Sequence, residues 1–312
     1  MNAAEREQEV LRHRTILVDA NKAMLDVLYS MDWLAPEFVS YHPYEKRDLL
    51  SQAHLGLSGE IARSDYGEVV NRFNAWVRHT ASLLAWNNVL ASVGEEDGWS
   101  VYLEFVEPVV FFCFHQPTSF RDAMVRYATH VVHAANVASG YTADWLPEDD
   151  KKKRRLLRGA SNPNKVSWSR QEKERQLKNI SAAWSKALHL IHRLEQLDDE
   201  NHRIASRDWR NESAHSIPSH INVGMTHLWR RSICFRQELV DQPDGRARFE
   251  THKDKFSVAY DYGGRDAIPY ATASDLNLHQ LRVARDVMHA CDALIDEICQ
   301  VVGPRKDASI EL

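Results

Sequence analysis

Apolar residues recur at every third or fourth position in five stretches of the chain, the spacing by which a helix buries one face. The first stripe runs from about Glu5 to Met31 and carries Val10, Leu17, Ala20, Met24, Val27 and Leu28. The second, about Tyr66 to Val93, includes Val69, Val70, Phe73, Trp76, Val77, Leu83, Leu84 and Leu90. A third follows Pro117-Thr118-Ser119, which reads as its start, and presents Met124, Tyr127, Ala128, Val131 and Ala135. A fourth opens on Ser169-Arg170-Gln171-Glu172, a capping box in which the Ser and Glu side chains each satisfy a free backbone donor. It continues as one pattern through Leu177, Ile180, Trp184, Leu188, Ile191, Leu194 and Leu197. The last begins near Ser274 and carries Leu281, Ala284, Val287, Met288, Cys291, Leu294, Ile295, Ile298 and Val302.

Between the fourth and last stripes the pattern changes. The runs "SICFRQELV", "KFSVAYDY" and "AIPYATA" are short, rich in β-branched and aromatic residues, and separated by Gly and Asp-Gly turns, with Gly263-Gly264 read as one such turn. The fold class expected is mainly α: a helical bundle with a small antiparallel β insertion before the C-terminal helix. Residues 139–166 divide the chain into an N-terminal helical region, 1–138, and a second helical region, 167–312. That stretch holds Gly140, Pro147, an acidic "EDD", the basic "KKKRRLLR" and Asn162-Pro163-Asn164, and reads as an exposed connector. Packing across it into one body is equally compatible with the pattern.

The bulk numbers narrow the function classes. A length of 312 residues with a net charge of −5 gives no global attraction to nucleic acid, so any such contact requires a local basic patch. No apolar run approaches the roughly 20 residues that span a bilayer. The N-terminus, "MNAAEREQEVLRHR", is charged where a signal peptide is apolar, so the chain reads as cytoplasmic. Cys113, Cys234, Cys291 and Cys299 show no CxxC spacing, and no metal site or cofactor is expected from ligand spacing. Neither a Walker-type loop nor a GxGxxG is present.

Candidate chemistry centres on "DWRNESAH", Asp208 to His215. An Arg followed at short range by a His is common in a chain with 16 histidines, so spacing alone decides nothing. Arg47-Asp48 and Arg210-Asn211 place Asp or Asn directly after the Arg of such a pair, and the former, with His54, fits a short surface helix. On a continuous helix Asn211 and His215 share a face, while Arg210 and His215 diverge by roughly 140°. One phosphate is served by both if the helix frays before Pro218, or if two copies bring their motifs together.

"WRNESAH" resembles the defining motif of the HEPN superfamily: an Arg, a polar residue, a few variable positions and a His near a helix end, often with an aromatic residue before the Arg, here Trp209. The match covers Trp209 to His215, and the insertion between Cys234 and Ala273 departs from the simplest form of that family. The resemblance implies a metal-independent endoribonuclease acting as a homodimer, a toxin or anti-phage defence role, and an antitoxin or regulatory protein as partner. Arg210 would hold the scissile phosphate, His215 would transfer protons and Asn211 would orient one of them. The chemistry is self-consistent. RNA carries its own 2′-hydroxyl nucleophile, imidazole titrates near neutrality, and a guanidinium fork matches two phosphate oxygens.

Further candidates are weaker. Lys151, Lys152, Lys153, Arg154, Arg155 and Arg158 would contact an RNA backbone, although such runs are commonly just solvated. Trp99, Trp145 and Trp168 flank loops where bases could stack, with packing the commoner role. Glu212 reads as a solvated neighbour, and His130 and His133 as edge-of-core histidines. The alternative for Arg210, Asn211 and His215 is a polar helix end, or a non-catalytic helical module that binds a nucleotide, RNA or protein, or that partners a nucleotidyltransferase or ATPase.

Overall fold

The computed structural model describes residues 2–31, 39–141, 158–159, 162, 168–222, 224–243 and 245–304. Three long helices form the trunk: α3 (Leu57–Ser92), α5 (Glu107–Ser139) and the C-terminal α10 (Tyr270–Val302). Around them lie α1 (Ala3–Ser30), α2 (Lys46–Gln52), and α4 (Glu95–Val101), which runs through a π-helical turn, Tyr102–Val106, into α5. Four short helices follow: α6 (Arg170–Ile180), α7 (Ser185–Glu195), α8 (Glu200–Ala205) and α9 (Trp209–His215). The molecule is mainly helical, with one small antiparallel sheet before α10, formed by β1 (Met225–Asp241) and β2 (Ala247–Asp266).

The stripes do what their spacing requires. Phe73 and Trp76 of α3, Phe120 and Met124 of α5, Leu177 of α6, Leu190 of α7 and Leu281, Val287 and Leu294 of α10 share one buried core. That core therefore draws on residues from both sides of the 139–166 stretch. A second cluster joins Ala20 of α1, Trp86 of α3, Tyr102 and Val106 of the π turn, Phe114 of α5, and Trp209, Ile221, Ile268 and Tyr270. Buried polar rungs fix the helices against sliding. Trp76 Nε1 donates to Asn277 Oδ1 at 2.8 Å, Asn277 Nδ2 donates to Thr80 Oγ1 at 2.9 Å, and Tyr270 Oη donates to the Leu83 carbonyl at 2.8 Å. Such groups are costly to bury unless paired, so they define register as well as contact. At Gly59 a Cβ would lie 2.8 Å from the Leu50 carbonyl oxygen, which is why α2 and α3 can approach this closely only through glycine.

Four local expectations are corrected. The fourth stripe is not one helix but α6 and α7, broken at Ser181 to Trp184. Asn136 causes the break from another helix: its Nδ2 caps the Ile180 carbonyl at 2.9 Å and its Oδ1 accepts from Trp184 Nε1 at 2.6 Å. Pro117 lies inside α5 rather than at its start. The helix continues through it because burial of Val110, Cys113 and Phe114 before it and Phe120 and Met124 after it outweighs one lost backbone bond. Gly263 and Gly264 are paired within β2, opposite Leu228 and His227, and the turn is instead at Gln242 to Arg246. A Cβ on Gly264 would meet Met225 Sδ, so the glycine admits that side chain. Finally, "AIPYATA" contributes a single bridge, Ile268 to Ile221, before Tyr270 begins α10.

The hairpin projects an apolar stripe into solvent. Trp229, Ile233 and Phe235 alternate along β1 opposite Tyr262, Val258 and Phe256, and Ile233 and Phe256 are each 67% exposed. Lys253 to Lys255 are left unpaired where the register shifts between Phe235 and Arg236. The base is tied down: Thr226 Oγ1 accepts from the His220 amide at 3.0 Å and donates to the Pro218 carbonyl at 3.2 Å. Among the described residues no helix is long and apolar enough to cross a membrane.

Candidate active site

The approach to "WRNESAH" is built by two consecutive residues in the left-handed region, Arg207 (φ 56°) and Asp208 (φ 52°). Each non-glycine residue there costs of order 1 kcal/mol or more, so the surroundings must enforce the conformation. Arg207 donates to the Asp266 carbonyl at the hairpin base, and the Asp208 amide donates to the Arg203 carbonyl at 2.6 Å. The reversal drives Trp209 into the second core cluster, where its Nε1 donates to the Ser219 carbonyl at 2.9 Å. Its ring lies 5.2 Å from Phe114, 5.7 Å from Phe111 and 5.9 Å from His115. The short helix α9 is thus anchored by its first residue, and the polar residues that follow are held at the surface of α5.

Arg210 lines a cleft of about 780 Å³ between α3 and α5. His115, which no sequence pattern singled out, lines it too. Its Nε2 is 3.0 Å from Ser213 Oγ, and that hydroxyl donates to the Arg210 carbonyl at 2.8 Å. A hydroxyl has one proton to give, so Nε2 carries the hydrogen in this pair and Nδ1 is left with the lone pair. Burial first, and the Arg210 charge second, push the His115 pKa below its ordinary 6.5. The imidazole is therefore neutral at pH 7 and its free nitrogen is a base.

Arg72, Arg126 and Lys173 add positive charge to the cleft, and Asp65, Glu68 and Asp122 add negative charge. Part of each is spent internally. Arg126 faces Asp65 at 3.5 Å, and Asp122 accepts from Arg170 at 2.9 Å. Arg210 is paired with no carboxylate among the described residues. Two lining residues also carry buried oxygens without a hydrogen-bond partner, Gln116 Oε1 and Tyr127 Oη. Burial raises the Tyr127 pKa well above 10, so its phenol remains a donor.

The motif is only partly gathered here. Asn211 and His215 are exposed on α9 and are not among the residues that line the cleft. Glu212 is half-exposed and faces Arg265 at 3.8 Å. Of the basic run, Lys151, Lys152, Lys153, Arg154 and Arg155 lie outside the described residues, as does Trp145, while Arg158 is exposed. Trp99 stacks on Tyr102 at 5.9 Å, and His130 faces Asp65 at 3.8 Å. Arg47 and Asp48 open α2, where Asp48 faces Arg63 at 3.7 Å, and the His54 amide donates to the Gly303 carbonyl. Metal-ligand spacing is invisible along the chain, yet the fold brings His42, His289 and Asp292 together with ligand atoms within 4.8 Å of one another. The chain matches no family model, no curated protein and no solved structure.

Proposed function

We propose that this protein is a metal-independent endoribonuclease of the type implied by its resemblance to the HEPN superfamily, with Arg210 as the group that holds the scissile phosphate. The observation that carries the reading is the meeting of an Arg free of any described carboxylate partner with a neutral, hydrogen-bonded histidine in one cleft. The guanidinium offers a planar fork to two phosphate oxygens. His115 takes the proton from the ribose 2′-hydroxyl as that oxygen attacks phosphorus. The products are a 2′,3′-cyclic phosphate and a 5′-hydroxyl, once the departing oxygen has gained a proton. His215 supplies that proton and Asn211 orients the imidazole, both exposed on α9, when two α9 helices are apposed in a homodimer. Arg158 and the basic residues before it extend contact along the RNA backbone. Such an activity, left unrestrained, damages the cell that carries it, which is the basis for a toxin or anti-phage defence role and for an antitoxin or regulatory partner.

A second reading, a non-catalytic module that binds RNA or a nucleotide in the same cleft, is favoured by one observation: His215 does not line it. The two diverge on product chemistry. Full-length protein incubated with end-labelled RNA in magnesium-free buffer should yield fragments ending in cyclic phosphate, leave DNA of the same sequence intact, and lose cleavage in Arg210→Ala. RNA that is retained but uncut establishes the binding module instead.

A further inference from the structure

The second cluster of titratable groups is assembled from opposite ends of the chain, and nothing in the cleft chemistry uses it. His42 lies in the stretch before α2, and His289 and Asp292 lie on α10, three apart and so on adjacent turns of one face. His42 Nε2 is 3.1 Å from Asp292 Oδ2. Ligands about 2.0–2.2 Å from a tetrahedral zinc ion lie about 3.3 Å from one another, so this separation is that of two neighbouring ligands.

The surroundings hold these groups in place. Asn74 grips the His42 backbone at both ends: its Oδ1 accepts from the His42 amide at 2.7 Å and its Nδ2 donates to the His42 carbonyl at 3.0 Å. Phe73 packs edge-on against the His42 ring at 6.1 Å, and the His42 residue is only 5% exposed. Tyr66 Oη donates to Asp292 Oδ1 at 2.7 Å, which leaves Oδ2 as the oxygen turned toward His42. A carboxylate oriented by a buried donor is the outer support that metal ligands commonly have. A His42–Asp292 hydrogen bond alone would account for His42 but not for the second imidazole, whose ring centroid is 5.8 Å from the first. His289 also borders a shallow groove of about 280 Å³ with Lys186, His189, Arg193 and Asp286, which gives an ion a route from solvent.

We propose that His42, His289 and Asp292 form a binding site for one divalent transition-metal ion, best matched by zinc, with water completing its coordination. Two imidazoles and one carboxylate are borderline donors that suit zinc over magnesium or calcium. The ion joins the stretch before α2 to the last helix and stabilises the folded chain by an amount that grows with the logarithm of free ion concentration above the Kd.

The probe is zinc chloride titrated calorimetrically into full-length protein stripped by chelation and desalted. The expected result is one saturable equivalent per chain with a raised Tm, and cobalt in place of zinc should give visible bands of a low-coordinate site. His289→Ala, at an exposed position, should weaken zinc binding by at least tenfold. His189→Ala, which borders the same groove outside the triad, should bind as the wild type. His289→Gln replaces the alanine variant if the latter fails to fold. A wild-type chain with no saturable equivalent, a loss of less than tenfold in the His289 variant, or an equal loss in His189→Ala overturns the proposal.

Discussion

His115 and His42 show how neighbours set what one side chain can do. His115 is half-buried between Phe111 and Trp209, hydrogen-bonded to a serine hydroxyl and near an arginine. Nothing there favours a positive imidazole, so the ring stays neutral with one nitrogen free. His42 is more deeply buried but faces a carboxylate at 3.1 Å, a phenol at 3.2 Å and a second imidazole. That company offers a metal ion a carboxylate and two imidazoles. Burial alone does not distinguish them; the charge of the nearest partner does.

The sharpest break between the two sites is expected from His115→Ala. On the endoribonuclease reading it lowers RNA cleavage by about 10²- to 10⁴-fold, the usual worth of a positioned general base, while zinc stoichiometry stays unchanged. Parallel loss of both would mean that the two sites are not independent. Tyr66→Phe acts on the other side. It leaves Asp292 Oδ1 without its donor and should cost about 1–3 kcal/mol of metal-free stability, read from urea unfolding midpoints. No change would show that water replaces the phenol freely.

The smallest effect is in pH. The His115 pKa is lowered in the folded state, so above pH 6.5 the folded and unfolded chains both hold it neutral and stability is unaffected. As pH falls below 6.5 the unfolded chain protonates first and stability declines, levelling off only below the folded-state pKa. His202, buried and likewise lowered chiefly by burial, adds to the same slope. The acid limb of cleavage should correspondingly lie below pH 6.5 in a kcat/KM profile, and a limb at or above 6.5 would remove His115 as the base.

Legibility in the sequence followed the range of the interaction. The α10 stripe and the capping box at Ser169 depend on residues a few positions apart, and both are present as expected. The break between α6 and α7 depends on Asn136, which is remote in sequence, and no local pattern carries it. Arg210 was visible because its neighbours form a motif. His115 was hidden in an apolar run, where the signal would have been the polar group His115, Gln116 and Thr118 interrupting the stripe of α5. His42 was hidden more thoroughly, since its partners lie at the far end of the chain and only folding brings them together.

The hairpin has a consequence for dynamics. Among the described residues its two strands bond only to each other, with little buried surface toward the tip, whereas its base is held by Thr226, Arg207 and the Ile221 bridge. Opening should therefore run like a zipper from Gly245 downward. Deuterium uptake will form a gradient along the ribbon, fastest beside the turn and slowest at Met225 and Asp266, while amides of α3 and α10 exchange only when the whole molecule unfolds.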